Sequence, residues 1–145
     1  MSKQRILIVD DDPTLMRLVR TRLAKRDGYD VHSVPSGEQA LKAAVELKPN
    51  LILLDWVMPG ISGLQVLRQL KKQPQMEQTA FIMLTSCNLI GDLEQAFALG
   101  ADSYLIKPVR LEMLSQKVKE TLRQRLTKDR GLTSWFVRLI QTGEA

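Results

Sequence analysis

Three consecutive aspartates, Asp10-Asp11-Asp12, follow directly on the apolar run Ile6-Leu7-Ile8-Val9. A fourth, Asp55, ends the apolar run Leu51-Ile52-Leu53-Leu54; Thr85 and Ser86 end a run that starts at Ala80, and Lys107 ends one that starts at Ser103. Carboxylates drawn within a few ångströms of one another repel strongly at the edge of a protein, so they need a cation or a proton between them. Oxygen-only ligands with open positions suit Mg²⁺, which keeps several waters and favours carboxylates together with a substrate phosphate. A lysine and a threonine hydroxyl add a point charge and a hydrogen bond for phosphoryl oxygens. Phosphoryl transfer requires mainly positioning and charge neutralisation, and this set supplies both. Asp55 is then a nucleophile that accepts a phosphoryl group. Taken from its own stretch alone, Asp55 reads more simply as an aspartate that terminates a strand.

The elements that must position these residues alternate along the chain. Strands are expected at Arg5 to Val9, Tyr29 to Val34, Leu51 to Leu54, Ala80 to Leu84 and Ser103 to Ile106. Apolar stripes at helical spacing separate them. Leu15, Leu18, Val19 and Leu23 follow Pro13 and stop at Asp27-Gly28; Ala40, Leu41, Ala44 and Val45 follow Ser36, which with Gln39 resembles a capping box. Leu64, Leu67 and Leu70 follow a Ser62 cap, Leu93, Ala96 and Phe97 precede Gly100, and Leu111, Leu114, Val118 and Leu122 mark the last long helix. Five strand–helix alternations with connections too long for hairpins require an α/β fold, a doubly wound parallel sheet covered on both faces. In such a sheet the carboxyl ends of all strands share one edge, where α/β proteins place their sites. The four strand ends that carry Asp10, Asp55, Thr85 and Lys107 therefore converge without being close in sequence. His32, the only histidine, falls within the second strand and reads as structural.

With 145 residues the chain suits one compact domain. No run approaches the length of a membrane span, the apolar run near the start is too short for a signal-peptide core, and Cys87 is the only cysteine. The cytoplasm is the expected compartment, with no membrane association. The net charge of +5 is concentrated in two clusters, Arg17 to Arg26 and Lys117 to Lys128. Both alternate with apolar residues at helical spacing and lack base-stacking aromatics, so they read as solvated helix faces, and no direct nucleic-acid binding is expected.

Four motifs in this order, Ile6-Leu7-Ile8-Val9-Asp10-Asp11-Asp12-Pro13, Leu54-Asp55-Trp56-Val57-Met58-Pro59-Gly60, Met83-Leu84-Thr85-Ser86 and Tyr104-Leu105-Ile106-Lys107-Pro108, resemble the receiver domain of bacterial two-component response regulators. The resemblance covers about residues 4 to 126. It implies a flavodoxin-like, CheY-like five-stranded sheet of order 2-1-3-4-5. It implies that Asp55 is phosphorylated by a sensor histidine kinase or phosphotransfer protein, and that Asp10, Asp11, Asp55 and the backbone carbonyl of Val57 hold Mg²⁺. Lys107 would pair with the phosphoryl oxygens, its bond to Pro108 being cis, and Thr85 and Tyr104 would form the switch. The responding surface would be the face of the fourth helix, fifth strand and fifth helix, binding a downstream protein or a second copy of the chain as a homodimer. Val57 and Cys87 match positions that tune dephosphorylation. Asp12 matches a variable position and reads as a helix N-cap.

The segment from Ile6 to Thr14 also fits hhhhDxDxT (h, apolar), the nucleophile motif of haloacid-dehalogenase-like phosphatases, with Asp10 as nucleophile and Asp12 as general acid. That assignment leaves Asp55 and its loop without a role and no room for a cap domain. A receiver that has lost its chemistry and serves as an interaction module is a third reading, opposed by the intact acidic set with Thr85 and Lys107. Most response regulators continue into an output domain, which the chain does not contain, so it is expected to be either a stand-alone receiver or a segment cut in a linker. Residues 1–126 are assigned to the receiver. Residues 127–145 are assigned to an extension whose Trp135, Phe136, Leu139 and Ile140 would line a short amphipathic helix.

Overall fold

The computed structural model describes residues 3–86 and 90–129. Five strands, β1 (Arg5–Val9), β2 (Asp30–Val34), β3 (Leu51–Asp55), β4 (Ala80–Thr85) and β5 (Ser103–Ile106), alternate with five helices. The helices are α1 (Pro13–Thr21), α2 (Gly37–Leu47), α3 (Gly63–Lys71), α4 (Ile90–Ala98) and α5 (Leu111–Asp129). All four strand pairings are parallel and the order is β2-β1-β3-β4-β5, the doubly wound arrangement expected. Every residue of β3 and β4 is buried, which is why their sequences are unbroken apolar runs rather than alternating ones.

The two-residue period of a strand divides the core into two layers. Leu7, Val9, Ile52, Leu54, Phe81 and Met83 face α2 and α3, meeting Ala40, Ala44, Val66, Leu67 and Leu70. Ile6, Ile8, Leu51, Leu53, Ile82 and Leu84 face α1 and α5, meeting Val19, Leu23, Leu114, Val118 and Leu122. The registers Leu7↔Ile52, Ile52↔Phe81 and Met83↔Tyr104 keep each layer continuous across the sheet. A one-residue slip would turn these residues to the opposite layer, so burial on both faces fixes the register and hence the level at which each strand ends.

Several local expectations change. Leu18 is 48% exposed, because the inward stripe of α1 runs Leu15, Val19, Leu23 at intervals of four and Leu18 falls at its rim. The last turn of α1 widens over Arg22–Arg26, where the Asp27 N–H donates to the Arg22 carbonyl at 3.1 Å. Tyr29 precedes β2, its N–H donating to the Leu23 carbonyl. Ser36 does cap α2, but the Gln39 side chain accepts from the Ser36 hydroxyl; the reciprocal capping box is Ser62 with Gln65, at the start of α3. After α3 a 3₁₀ turn, Pro74–Met76, inserts Met76 into the core. α5 runs on to Asp129, past the boundary at 126 assigned to the receiver. Cys87 and the stripe from Trp135 to Ile140 lie outside the described residues.

An ion pair between a buried guanidinium and a half-buried carboxylate holds the base of the sheet. Arg125, near the end of α5, donates to Asp102 at 3.0 Å and to the Glu77 carbonyl at 3.1 Å, while the same Asp102 oxygen accepts from the Phe81 N–H at 2.8 Å. Removing the carboxylate leaves a buried guanidinium without its counter-charge. Asp102→Ala is expected to destabilise the domain by about 3 kcal/mol, measured by urea denaturation.

Candidate active site

Asp10 stands one residue past β1, with its N–H still donating to the Val34 carbonyl of β2 at 3.3 Å, and it is completely buried. The three aspartates have separate tasks from here. Asp10 Oδ1 accepts the Asp12 N–H at 2.9 Å, and Asp12 Oδ1 caps α1 by accepting the N–H groups of Thr14 and Leu15. Pro13 at the first helical position costs no hydrogen bond. Asp11 is exposed between them.

Asp55 is the last residue of β3, 4% exposed, and the next residue keeps the strand pinned through the Trp56 N–H to the Leu84 carbonyl at 2.8 Å. Lys107 follows β5, its N–H donating to the Thr85 carbonyl at 2.7 Å, and its peptide bond to Pro108 is cis as expected. These anchors bring Lys107 Nζ to 3.0 Å from Asp10 Oδ2 and 3.2 Å from Asp55 Oδ1. Carboxylate oxygens of Asp10, Asp11 and Asp55 lie within 4.8 Å of one another. Three separate stretches of the chain, at the ends of β1, β3 and β5, thus form one cluster.

Thr85 is buried at the end of β4, paired in register with Ile106. Ser86, next to it, is exposed at the rim. Val57 is 67% exposed, and its backbone N–H favours the ionised form of the Asp55 carboxylate. Tyr104 lies away from the carboxylates, half-buried against Phe97 of α4 in an edge-to-face contact with ring centroids 6.0 Å apart. Gly63 is a site residue that spacing could mark only as a loop former. A Cβ there would lie 2.1 Å from the Asp55 carbonyl oxygen, and the Gly63 N–H closes the loop on the Trp56 carbonyl at 2.9 Å. No sequence signal announces that close approach, because it depends on where α3 begins relative to the end of β3.

The electrostatics follow from burial and crowding. Burial, and then the Asp10 charge, push Asp55 up to about 6 against the opposing pull of Lys107 and the Val57 N–H. Burial draws the Lys107 ammonium down, but Asp10 and Asp55 outweigh it and the net direction is upward. One ammonium therefore serves two of the three carboxylates. Asp10 Oδ2 has Lys107 as its charge neighbour but no hydrogen bond of good geometry. A buried carboxylate oxygen in that condition, in an all-oxygen donor set, fits a hard divalent cation such as Mg²⁺.

A family model described as the response regulator receiver domain matches residues 6–119. The chain belongs to the response regulator receiver family. The receiver is 39% identical over 136 residues to the uncharacterized transcriptional regulatory protein YkoG of Bacillus subtilis, a match covering 94% of this chain and 58% of that protein. It is 34% identical over 120 residues to the phosphate regulon transcriptional regulatory protein PhoB of Rhizobium meliloti, covering 83% of this chain and 52% of that one. The chain thus spans about half the length of these relatives. Among solved structures, the chemotaxis protein CheY4 of Vibrio cholerae superposes with a TM-score of 0.78 at 27% identity, covering 83% of this chain and 99% of that one. A CheY-like receiver from Methanospirillum hungatei gives 0.80 at 28% identity, over 88% and 99% of the two chains. As a receiver the protein is a signalling switch of two-component systems, and its five-stranded order 2-1-3-4-5 is that of the CheY-like fold.

The raised Asp55 couples folding to pH. Its folded value of about 6 lies above the ordinary 3.8, so its contribution to stability is fully present below 3.8 and is lost as pH rises through about 6. In chelator at pH 7, Asp55→Asn is expected to be more stable than the parent protein, by on the order of 2 kcal/mol. The difference should shrink as pH falls toward 4. Urea denaturation across that range measures it.

Proposed function

We propose that Asp55 is the phosphoacceptor of this receiver, taking a phosphoryl group from the phosphohistidine of a sensor kinase or phosphotransfer protein. The observation that carries this reading is the cluster in which Lys107 Nζ lies 3.0 Å from Asp10 and 3.2 Å from Asp55. An Asp55 carboxylate oxygen attacks the donor phosphorus in line, the P–N bond breaks with the electron pair passing to the imidazole nitrogen, and an acyl phosphate forms. Attack requires an ionised Asp55, and its value near 6 leaves it ionised at neutral pH. Lys107 is close enough to meet the phosphoryl oxygens, exchanging its ion pair with Asp55 for one with the phosphate. Asp10, Asp11, Asp55 and the Val57 carbonyl would hold Mg²⁺, which supplies charge neutralisation to the transferring group.

The competing phosphatase reading is disfavoured by two contacts. Asp12, its general acid, is committed as the cap of α1, and Asp10, its nucleophile, is fully buried beneath Lys107. The reading of a chemically inert module is disfavoured by the closeness of Lys107 to both carboxylates.

The switch we propose uses Thr85 and Tyr104. A phosphoryl group adds charge and acceptor oxygens, drawing the Thr85 hydroxyl toward it and shifting the loop after β4. Tyr104 would move with it, altering its contact with Phe97 and thus the face of α4, β5 and α5. That face would bind a downstream protein or a second copy of the chain. By analogy with relatives named as transcriptional regulators, the proposed output is control of transcription through a unit the receiver contacts. Among the described residues no helix is long and apolar enough to cross a membrane. We place the receiver in the cytoplasm, where kinase and regulator meet. The exposed, apolar Val57 offers no polar group to orient an attacking water, so the acyl phosphate should be long-lived.

Two experiments test the reading. Incubation with acetyl phosphate and Mg²⁺ should label Asp55, and Asp55→Asn should abolish the label; labelling of the variant at Asp10 would overturn the assignment in favour of the phosphatase. The donor is proposed to dock beside α1, where Arg17, Arg20 and the exposed Leu18 stand. Reversing charge at Arg17 and Arg20 should slow transfer from the cognate kinase by about tenfold while leaving labelling by acetyl phosphate unchanged.

A further inference from the structure

The loop from Trp56 to Ser62 carries the Val57 carbonyl, and its shape is set by three consecutive N–H groups. Gly63 donates to the Trp56 carbonyl at 2.9 Å, and Ser62 donates to the Gln65 side chain at 2.8 Å within the capping box. Both bonds are made inside the loop and its own helix. The third is not: the Ile61 N–H donates to Glu38 Oε1 at 3.1 Å, and Glu38 belongs to the first turn of α2. The same carboxylate lies over Gly60, whose φ is +83° and where a Cβ would come within 2.5 Å of Glu38 Oε1.

The neighbour of Glu38 holds the side chain of the same residue. A Cβ at Gly37 would lie 2.6 Å from Ile61 Cγ1 and 2.8 Å from Val66 Cγ2, so the missing side chain of Gly37 is the notch into which Ile61 packs. Ile61 is thus gripped by α2 twice, by its backbone through Glu38 and by its side chain through Gly37.

We propose that Glu38 is a positioning residue for the metal and phosphoryl site: as the hydrogen-bond acceptor for the Ile61 N–H, it fixes the loop that presents the Val57 carbonyl beside Asp10, Asp11 and Asp55. The proposal rests on the assignment of that cluster as the Mg²⁺ and phosphoryl site. Glu38 acts through Ile61 and touches neither ion nor phosphate. With the acceptor removed, the loop samples arrangements in which the carbonyl points elsewhere, and binding must reselect the competent one. Its role is that of acceptor, so a neutral carboxamide oxygen serves in its place.

The test compares Glu38→Ala and Glu38→Gln with the parent protein. Mg²⁺ affinity is read from amide NMR shifts, Ile61 amide hydrogen exchange is followed in chelator, and Asp55 labelling is followed with acetyl phosphate. Glu38→Ala should speed exchange at Ile61, weaken Mg²⁺ by roughly 3- to 10-fold and slow labelling at limiting Mg²⁺, with the rate restored at saturating Mg²⁺. Glu38→Gln should retain near-parental values in all three. Unchanged Mg²⁺ affinity in Glu38→Ala would overturn the proposal, and so would an equal loss in Glu38→Gln, since that would make the effect one of charge at a distance. Failure of the parent protein itself to bind Mg²⁺ or to be labelled at Asp55 would instead overturn the site assignment on which the proposal rests. Gly37→Ala, crowding Ile61 from the other side, provides an independent arm expected to weaken Mg²⁺ in the same direction.

Discussion

Three carboxylates crowd one edge of the sheet, and two of them, Asp10 and Asp55, share a single ammonium while almost wholly removed from water. Left to themselves they would separate or take up protons, and the upward displacement of Asp55 records that tendency. They stay together because their backbones are not free. Asp10 and Asp55 continue strands whose ladders and packed faces fix the height at which each side chain emerges, and Lys107 is tied to β4 through the Thr85 carbonyl. The apolar core thus holds a charge arrangement that is unfavourable in the resting protein and that a divalent cation would relieve. The electrostatic imbalance of the cluster is kept in place by hydrophobic burial.

The same anchoring explains how an event at Asp55 would travel. Lys107 and Thr85 share a backbone hydrogen bond, so the residue proposed to meet the phosphate and the residue proposed to swing toward it belong to adjacent, directly bonded strand ends. Three residues before Lys107 stands Tyr104, on a strand of only four residues at the edge of the sheet, packed against Phe97 of α4. An edge strand paired on one side and covered by a short helix is the part of the sheet least able to resist a shift. The base of the sheet is the opposite case: Asp102 and Arg125 bind the starts of β4 and β5 to α5. In the proposed switch, displacement would therefore be channelled toward the site edge, with the base as its fixed point.

Much of this was legible in the sequence. Unbroken apolar runs announced buried parallel strands, since only a sheet covered on both faces permits them, and the alternation of runs with helical stripes fixed the fold class. Because parallel strands all end at one edge, Asp10, Asp55, Thr85 and Lys107 could be placed together from order alone. The local signals were weaker where two faces compete for a residue. Leu18 has the composition of a core position but lies at the rim of its helix, and the capping box suggested at Ser36 is formed in full at Ser62, because the orientation of a glutamine side chain is not written in spacing.

What the sequence determined by itself is therefore the set of groups, their edge and their order, all consequences of local periodicity and parallel topology. Tertiary structure alone decided the distances that make them a site and the contacts that hold its loop. That Lys107 spans Asp10 and Asp55 at once, that Gly63 must lie against the Asp55 carbonyl, and that Glu38 and Gly37 of α2 grip Ile61 all depend on strand register and on how α2 and α3 pack. Those relations join residues far apart in the chain, and no spacing rule reaches across them. On its own stretch Asp55 reads simply as the end of a strand; the neighbours that the fold forces upon it, Asp10 and Lys107, are what make it the candidate phosphoacceptor.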